Sequence, residues 1–389
     1  MTQAPTLAPI LAPAPAPILT PTLAATRPLD IVILGLSLSS SWGNGHATTF
    51  RALLRGLAEE GHRTLFLERD VPWYSGAHRD LPSPDFCDLQ LYDDMDAMLA
   101  RFAPRLRSAD AVIVGSYVPD GVRLIDRLAA MNLRSLCFYD IDTPVTLAAL
   151  DDGREEYLAA RQIPFFDTYF SFSGGEVLDH LEQVRGARRA SALYCSVDPS
   201  GYPAHPDAPK RWDLGYLGTY SDDRQPTLDR LLIQPARLRP DLRFVVAGPQ
   251  YPDGIDWPAN VERIEHLPPA DHAAFYNAQR FTLNVTRDAM RRMGWSPSVR
   301  LFEAASCATP IISDSWRGLS DLLPPDQAIV IAETPDDVLR ALALPNTRRH
   351  AIGEAGRTRV LAGHTGRARA RELAATLRTG QPAVAATGT

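Results

Sequence analysis

The chain has 389 residues, of which 45% are hydrophobic and 22% charged, a composition typical of an ordinary globular protein with room for about two domains. The net charge of −6 and the lack of any basic run argue against nucleic-acid binding. Lys210 is the single lysine, which excludes a Walker A phosphate loop and leaves only a poor candidate for a Schiff-base lysine.

The two ends of the chain lack the pattern of folded structure. Residues 1–28 are dense in proline, alanine and threonine, which favours a disordered, partly polyproline-like tail over a signal peptide, and residues 379–389 look equally unstructured. No uninterrupted apolar run reaches the ~18 residues of a membrane span. The four cysteines show no metal-ligand spacing and are expected as buried free thiols, so we expect a cytoplasmic protein.

Alternating strand and helix patterns begin at Asp30 and predict an α/β fold with a mainly parallel sheet. The first strand, DIVILGL, leads through a Gly/Ser-rich loop into a helix over HATTFRALLRGLAEEGH. Further strands are predicted at TLFLER, ADAVIVGS, SLCFYDID, TYFSFS and ALYCSV, with helices at about 93–107, 120–131 and 174–185.

A proline-rich segment, residues 198–213, indicates a linker, and the strand–helix alternation restarts after it. The predicted elements of the second half are LGYLGTY, a helix near 226–237, RFVVAG, VERIEHL, a helix from about 269, FTLNVT, a helix opening at Ser296, PIISD, AIVIA and closing helices that end in TGRARARELAATLR. We therefore expect two tandem Rossmann-like, doubly wound domains, residues 29–205 and 206–363. Ligands of such folds bind outside the carboxyl ends of the strands, which places the expected site in the cleft between the domains.

A helix-start signal opens the stretch SPSVRLFEAASCATPIISD. Ser296 is expected as the N-cap and Pro297 as the first helical residue. Arg300 and Glu303 then share one face, and the helix N-terminus offers a site for an anion. A carboxylate in this position can accept two hydrogen bonds from a vicinal diol such as ribose. The alternative is an ordinary surface Arg–Glu pair.

The loop after the first strand, LSLSSSWGNGHAT, has a composition suited to close contact with a ligand. It lacks the G-x-G-x-x-G fingerprint, so an NAD-dependent dehydrogenase is a poor interpretation. Its glycine pair lets the backbone approach a ligand, and His46 at the next helix start is a candidate base or polar contact, with a purely structural histidine as the alternative. The candidate cleft residues of this loop are Trp42, Gly43, Asn44 and Gly45.

Two aspartates follow a strand of the first half in FYDIDTP. Strand alternation is expected to point Asp140 and Asp142 the same way. Such a pair could bind a divalent cation beside a sugar diphosphate, or one carboxylate could act on an acceptor hydroxyl as general base. Either could instead cap the turn before Pro144.

Four segments of the second half occur in a characteristic order: DLGYLGTYSDDRQPTLDRLL, RFVVAGPQ, NVERIEHLPPADHAAFYNAQRFTLNV and PSVRLFEAASCATPIISD. In this order the region resembles the C-terminal domain of GT-B glycosyltransferases. It is most similar to the family-4-like group and, within it, to the CgeB-like branch named for spore-coat maturation. The resemblance covers much of the second half and includes the R-x-F-E-A helix before the strand PIISD.

The resemblance implies that residues 206–363 bind a nucleotide-sugar donor. Glu303 matches the family's glutamate that binds the ribose hydroxyls. Backbone at Gly218 and Thr219 would approach the diphosphate, and arginines would neutralise its charge. The implied donor-binding residues are Gly218, Thr219, Arg224, Arg287, Ser298, Arg300 and Glu303.

The resemblance also implies that residues 29–205 bind the acceptor, a hydroxyl group on a saccharide, lipid-linked glycan, protein or small molecule. Neither a metal nor another cofactor is implied, and a UDP-sugar is the expected co-substrate. One of His46, Asp140 and Asp142 would deprotonate the acceptor. A C-terminal helix over 364–378 would pack back on the first domain, and its arginines leave peripheral contact with an anionic membrane open.

The sequence departs from the family pattern at three places. Trp295 stands where the wider family often has a second glutamate, and the usual arginine–lysine phosphate pair is missing. Both departures argue against a retaining mechanism. The glycine expected before TP is replaced in Cys307-Ala308-Thr309, which we attribute to local packing.

Two other functional classes are compatible with the same fold. A sugar-nucleotide epimerase would change a nucleotide sugar without an acceptor. A non-catalytic nucleotide-sugar-binding protein would keep Glu303 without a positioned base. The motifs of the second half favour a transferase.

Overall fold

The structure, a computed structural model, describes residues 27–42 and 45–380. A parallel sheet in the first half has seven strands: β1 (Asp30–Gly35), β2 (Arg63–Arg69), β3 (Asp88–Tyr92), β4 (Ala111–Gly115), β5 (Leu136–Asp140), β6 (Thr168–Ser171) and β7 (Ala190–Ala192). Their order across the sheet is β3-β2-β1-β4-β5-β6-β7. The α-helices of this half are α1 (His46–Glu59), α2 (Met95–Ser108), α3 (Gly121–Ala129), α4 (Thr143–Asp151) and α5 (Glu176–Gln183).

A second parallel sheet has six strands: β8 (Trp212–Leu217), β9 (Phe244–Ala247), β10 (Val261–Ile264), β11 (Gln279–Asn284), β12 (Ile311–Ser313) and β13 (Val330–Ile331). Their order is β10-β9-β8-β11-β12-β13. The helices of this half are α6 (Gln225–Leu228), α7 (Gln234–Leu238), α8 (His272–Asn277), α9 (Asp288–Met293), α10 (Val299–Ser306), α11 (Leu319–Leu322), α12 (Pro335–Leu342), α13 (Asn346–Gly363) and α14 (Gly366–Gly380), with a π-helical segment, Asp229–Ile233, joining α6 to α7.

The side chains of strand β1 show that helices cover both faces of the first sheet. Ile31 and Ile33 face a core that includes α1 and α14, whereas Val32 and Leu34 face a core that includes α2 and α3. All four side chains are buried, as the alternation of a strand inside a parallel sheet requires. The predicted α/β class with two doubly wound, Rossmann-like sheets is confirmed.

Some elements of the structure differ from the sequence prediction. Strand β3 and helix α4 were not predicted, because β3 is an edge strand without an apolar run and α4 follows an aspartate-rich turn. The strand predicted at ALYCSV is wrong, since β7 ends at Ala192. The backbone of Val197 instead donates a hydrogen bond to the carbonyl of His364, which ties this segment to the end of α13.

Helix α14 returns to the first half of the chain and packs against α1. A Cβ placed on Gly56 would lie 2.3 Å from the carbonyl oxygen of Gly366, and one on Gly366 would lie 2.0 Å from that of Ala52. Glycine at both positions therefore permits the close helix contact. The domain boundaries at 205 and 363 stay predictions. In the described ranges, no helix combines the length and the apolarity that crossing a bilayer requires.

Candidate functional site

The start of helix α10 differs from the sequence prediction by two residues. Ser298, rather than Ser296, is the N-cap, and its Oγ accepts a hydrogen bond from the backbone N–H of Arg300. Ser296 is bound elsewhere, with its Oγ on Ser173 of the first half and on the carbonyl of Gly294. This tie between the two halves holds Ser296 outside the helix and brings the N-terminus of α10 beside the first domain.

Glu303 lies one turn into α10 and is only 4% exposed. Its Oε1 accepts a hydrogen bond of 2.8 Å from the Tyr202 hydroxyl, and its Oε2 accepts one of 3.1 Å from the Tyr276 hydroxyl. A carboxylate has about four lone-pair sites, so two further hydrogen bonds can be accepted. Glu303 is therefore oriented by the protein and retains capacity for a diol.

The two tyrosines that bind Glu303 were not predicted as site residues. Tyr276 stands on α8, within the tyrosine helix of the family resemblance, so a signal for it was present. Tyr202 lies in the proline-rich linker, where no local pattern marks it. The linker is held against α10 because Ser306 Oγ donates to the backbone carbonyl of Tyr202 at 2.9 Å.

Tyr276→Phe is expected to lower the free energy of unfolding by about 1–3 kcal/mol, because it removes one hydrogen-bond donor from a buried carboxylate. Urea denaturation measures the change. Tyr220→Phe is the matched control, since its hydroxyl donates to Asp222 at the surface, and we expect a change within about 0.5 kcal/mol. Equal stability of Tyr276→Phe and the wild type would show that Glu303 does not depend on this tyrosine.

Three arginines from separate elements lie close together: Arg224 before α6, Arg287 before α9 and Arg300 in the first turn of α10. Arg224 is 7% exposed, and burial together with the charges of Arg300 and Arg287 lowers its pKa. Its Nη2 donates to the carbonyl of Thr219 at 2.6 Å, while its buried Nε has no hydrogen-bond partner in the structure. The charges of Arg287 and Arg224 act on the carboxylate of Asp223. One carboxylate does not balance three guanidinium groups, so the cluster keeps an excess of positive charge.

Two backbone loops, after β8 and after β9, approach each other closely beside this arginine cluster. Gly218 follows β8, and its carbonyl accepts a hydrogen bond of 3.1 Å from the Tyr251 hydroxyl. A Cβ on Gly248, which has φ of +140°, would lie 2.1 Å from that same carbonyl oxygen. Glycine at 248 is thus required for the approach of the two loops, and Thr219 is left exposed beside Arg224.

His46 is the first residue of α1 and lies in the first half of the site. Its Nε2 is 3.9 Å from Asp142 Oδ2, and its ring meets Tyr117 edge-on, with 5.2 Å between the ring centroids. The buried Nδ1 has no hydrogen-bond partner in the structure. Tyr117 adopts φ of +62° at the carboxyl end of β4, a strained conformation of the kind that gathers at functional sites.

Asp140 does not share the environment of Asp142, so the expectation that both point the same way is wrong. Strand β5 ends at Asp140, and Asp142 is already the N-cap residue of α4, although its side chain makes no capping hydrogen bond, so the strand alternation does not extend to it. Asp140 is fully buried and accepts hydrogen bonds from the hydroxyls of Tyr169 at 2.6 Å and Thr146 at 2.7 Å. The Asp142 side chain is 37% exposed and faces His46.

Burial raises the pKa of Asp140 from 3.8 to about 6, although Tyr169 and Thr146 oppose the shift. The folded protein consequently binds more protons than the unfolded chain between about pH 4 and pH 6, so this group makes stability fall as the pH rises through that window. Asp140→Asn is expected to remove this contribution, which chemical denaturation at several pH values measures. Parallel stability curves for wild type and variant would contradict the assignment.

The loop before α1 reaches both halves of the chain. Trp42 is 53% exposed, stacks on His78 with 4.2 Å between ring centroids, and lies 6.2 Å from the ring of His266 in the second half. Gly45 is exposed and precedes α1 directly. The other two candidate residues of this loop, Gly43 and Asn44, fall outside the described residues.

The site residues thus belong to different halves of the chain, with Glu303 and the arginine cluster in the half of the second sheet and the His46–Asp142 pair in the half of the first sheet. Within residues 27–42 and 45–380, no group of three or more histidine, cysteine, aspartate or glutamate side chains is arranged to hold a metal ion.

Residues 224–375 match a family model described as "Glycosyl transferase-like". Among solved structures, sucrose-phosphate synthase from Thermosynechococcus elongatus has a TM-score of 0.66 at 14% identity, covering 90% of this chain and 98% of that one. HepE of Anabaena in complex with UDP and glucose has a TM-score of 0.65 at 12% identity, with 90% and 100% covered. The catalytic domain of starch synthase IV from Arabidopsis thaliana, bound to ADP and acarbose, has a TM-score of 0.67 at 11% identity, with 91% and 99% covered.

No curated protein sequence in the comparison matches the chain. The structural likenesses show the fold, and the family match covers the region that carries Arg224, Arg300 and Glu303. The structural likenesses confirm the predicted GT-B fold, and the family match over residues 224–375 confirms the predicted glycosyltransferase assignment. The chain has the GT-B fold, and its residues 224–375 match the glycosyl transferase-like family model.

Proposed function

We propose that this protein transfers a sugar from a nucleoside-diphosphate sugar to a hydroxyl group of an acceptor. The observation that carries the proposal is the placement of Glu303, a buried and preorganised carboxylate, on the same helix as Arg300, whose charge in turn acts on Arg224. A ribose diol and a diphosphate are the two groups of a nucleotide sugar that need a carboxylate and a cluster of cations, respectively.

In this proposal the donor binds the second domain, residues 206–363. Glu303 accepts hydrogen bonds from the ribose hydroxyls. Arg224, Arg287 and Arg300 face the diphosphate. Their mutual repulsion raises the energy of the empty site, and an anion relieves it.

The acceptor binds the first domain, residues 29–205, with His46 as the proton acceptor and Asp142 as the group that stabilises the resulting imidazolium. The acceptor oxygen bonds to the anomeric carbon of the sugar as the bond from that carbon to the diphosphate breaks. The acceptor proton passes to His46, and the negative charge on the leaving diphosphate meets the arginines. Asp140 supports the loop from its buried network and has no direct part.

The arginine cluster supplies the positive charge that other sugar-nucleotide enzymes obtain from a divalent cation, which supports a metal-independent reaction with no further cofactor. UDP is the proposed donor nucleotide, since the HepE structure contains UDP and glucose. We place the reaction in the cytoplasm, with peripheral membrane contact as an option for a lipid-linked acceptor. The CgeB-like branch remains the proposed subgroup, on the motif order of the second half.

Equilibrium binding and turnover against UDP-, GDP-, dTDP- and ADP-sugars, with and without a chelator, test the proposal. We expect one nucleotide to bind selectively in the presence of the chelator, together with slow release of free sugar or its transfer to an added acceptor. A nucleotide sugar with a changed sugar would identify an epimerase instead. Selective binding without any turnover would identify a binding protein, and no binding by any nucleotide would overturn the proposal.

A further inference from the structure

A second pocket lies at the opposite edge of the second sheet from the arginine cluster. It is a cavity of about 70 Å³ where β11 begins at Gln279 and where the chain enters β12 after Pro310. Cys307, at the end of α10, and the first turn of α13 complete its wall. The amino ends of the strands therefore form this pocket, whereas the proposed donor site lies at their carboxyl ends.

Basic side chains dominate the wall of this pocket. Lys210, the only lysine of the chain, and Arg349 and Arg280 all line it. Arg280 is paired with Asp213 at 2.8 Å, while the acidic residue among the lining side chains, Glu354, is exposed to solvent. Two exposed histidines also line the wall: His205 and His350.

Arg349 is the most informative of these residues. It is 4% exposed, its Nη2 donates to Asn346 Oδ1 at 2.9 Å, and its Nη1 has no hydrogen-bond partner in the structure. A guanidinium group buried to this extent without a carboxylate bound to it is costly. Burial and the charge of Arg280 lower the pKa of Arg349, and the charge of Asp213 opposes the shift without cancelling it.

Lys210 is also a partly buried cation, and no carboxylate of the described residues is bound to it. Its Nζ donates to the carbonyl of Asn277 at 2.6 Å, which leaves two of its three ammonium protons for another acceptor. Burial and the charge of Arg349 lower the pKa of Lys210. The two cations thus repel each other in a half-enclosed space that a small anion can enter.

We propose that this pocket binds a small oxyanion, either inorganic phosphate or the phosphate group of a small phosphorylated metabolite. Lys210 supplies a compact charge and Arg349 a planar guanidinium, a combination suited to phosphate oxygens. The site is separate from the donor site, and its occupancy does not depend on the proposed transferase activity. Both sites touch α10, since Cys307 ends the helix that carries Arg300 in its first turn and Glu303 one turn in.

The single lysine allows a direct test in the intact protein. Biosynthetic labelling with lysine carrying carbon-13 at Cε gives one NMR signal, at Lys210. We expect inorganic phosphate to shift this signal saturably at constant ionic strength and to give no such curve in Arg349→Gln. Arg348→Gln, the neighbouring arginine bound to the carbonyl of Asp326 at the surface, is the matched control and should behave as the wild type.

The donor site also attracts phosphate, and Arg300→Gln separates the two, because it should leave the Lys210 titration unchanged. A shift that does not saturate, that chloride reproduces or that persists in Arg349→Gln would overturn the proposal. Titrations of the Lys210 signal with glycerol phosphate and with acetate then show which kind of anion the pocket prefers. Tighter binding of glycerol phosphate than of inorganic phosphate would indicate a phosphorylated metabolite, and preference for acetate would contradict the phosphate assignment.

A second measurement uses wild-type protein alone, in case Arg349→Gln does not fold. Acetylation of Lys210 is followed by peptide mass spectrometry, which separates it from the N-terminal amine. With phosphate at ten times its dissociation constant, we expect acetylation of Lys210 to be about tenfold slower. An unchanged rate would contradict binding in this pocket.

Discussion

Replacing His46 with alanine is expected to reduce the rate of sugar release or transfer about 10²- to 10⁴-fold, the range found when a general base is lost. The physical reason is the position of the ring at the start of α1, with Nε2 facing Asp142 and Tyr117 fixing the ring edge-on. Donor affinity should change by less than about twofold, because the arginine cluster and Glu303 are untouched. Single-turnover rates and nucleotide titrations measure the two quantities separately.

His180→Ala is the matched control for this prediction, since His180 lies on α5 and contacts Arg185 rather than the cleft. Its rate should equal that of the wild type. Asp142→Asn should fall between the control and His46→Ala, because it removes the charge that stabilises the protonated histidine. A His46→Ala rate within about threefold of wild type would exclude this histidine as the base.

Arg300→Gln is expected to weaken the binding of a nucleoside diphosphate about 10- to 100-fold, as for the loss of a hydrogen bond to a charged group. Binding of the nucleoside without phosphates should hardly change. The empty protein should be as stable as the wild type or slightly more so, because the variant relieves the repulsion that Arg300 exerts on Arg224. Isothermal titration and thermal unfolding distinguish these outcomes from a folding defect.

Arg291→Gln serves as the control for the arginine prediction. Arg291 is an arginine of α9 whose guanidinium pairs with Asp288 at 3.2 Å, and its loss should leave nucleotide binding unchanged. Equal weakening by Arg291→Gln and Arg300→Gln would mean that a general positive field, rather than the cluster beside α10, attracts the diphosphate. Undiminished binding in Arg300→Gln would remove this residue from the proposed donor site.

Local sequence patterns predict most of the fold because parallel strands here are buried apolar runs, such as Ile31–Leu34 in β1. They fail where tertiary contacts compete with local preference. Ser296 and Pro297 have the composition of a helix start, yet the bond from Ser296 to Ser173 in the other half moves the N-cap to Ser298. The local sequence contains no trace of that distant partner.

In the candidate site, too, residues marked by local sequence could be predicted, whereas those placed by tertiary contacts could not. Glu303 and Arg300 could be named from one helix, and Asp142 and His46 from two loop ends, since each stands in a recognisable local context. Tyr202 could not, because it lies 101 residues from the carboxylate that it binds. The separate roles of Asp140 and Asp142 were equally hidden, since they depend on where β5 ends.

The central claim is that Glu303 binds the ribose of a nucleotide donor. It is tested most directly by comparing a ribonucleoside diphosphate with its 2′,3′-dideoxy analogue on wild type and on Glu303→Gln. We expect the wild type to prefer the ribonucleotide about 10- to 100-fold and the variant to lose most of that preference. The same preference in Glu303→Gln as in the wild type would contradict the ribose assignment.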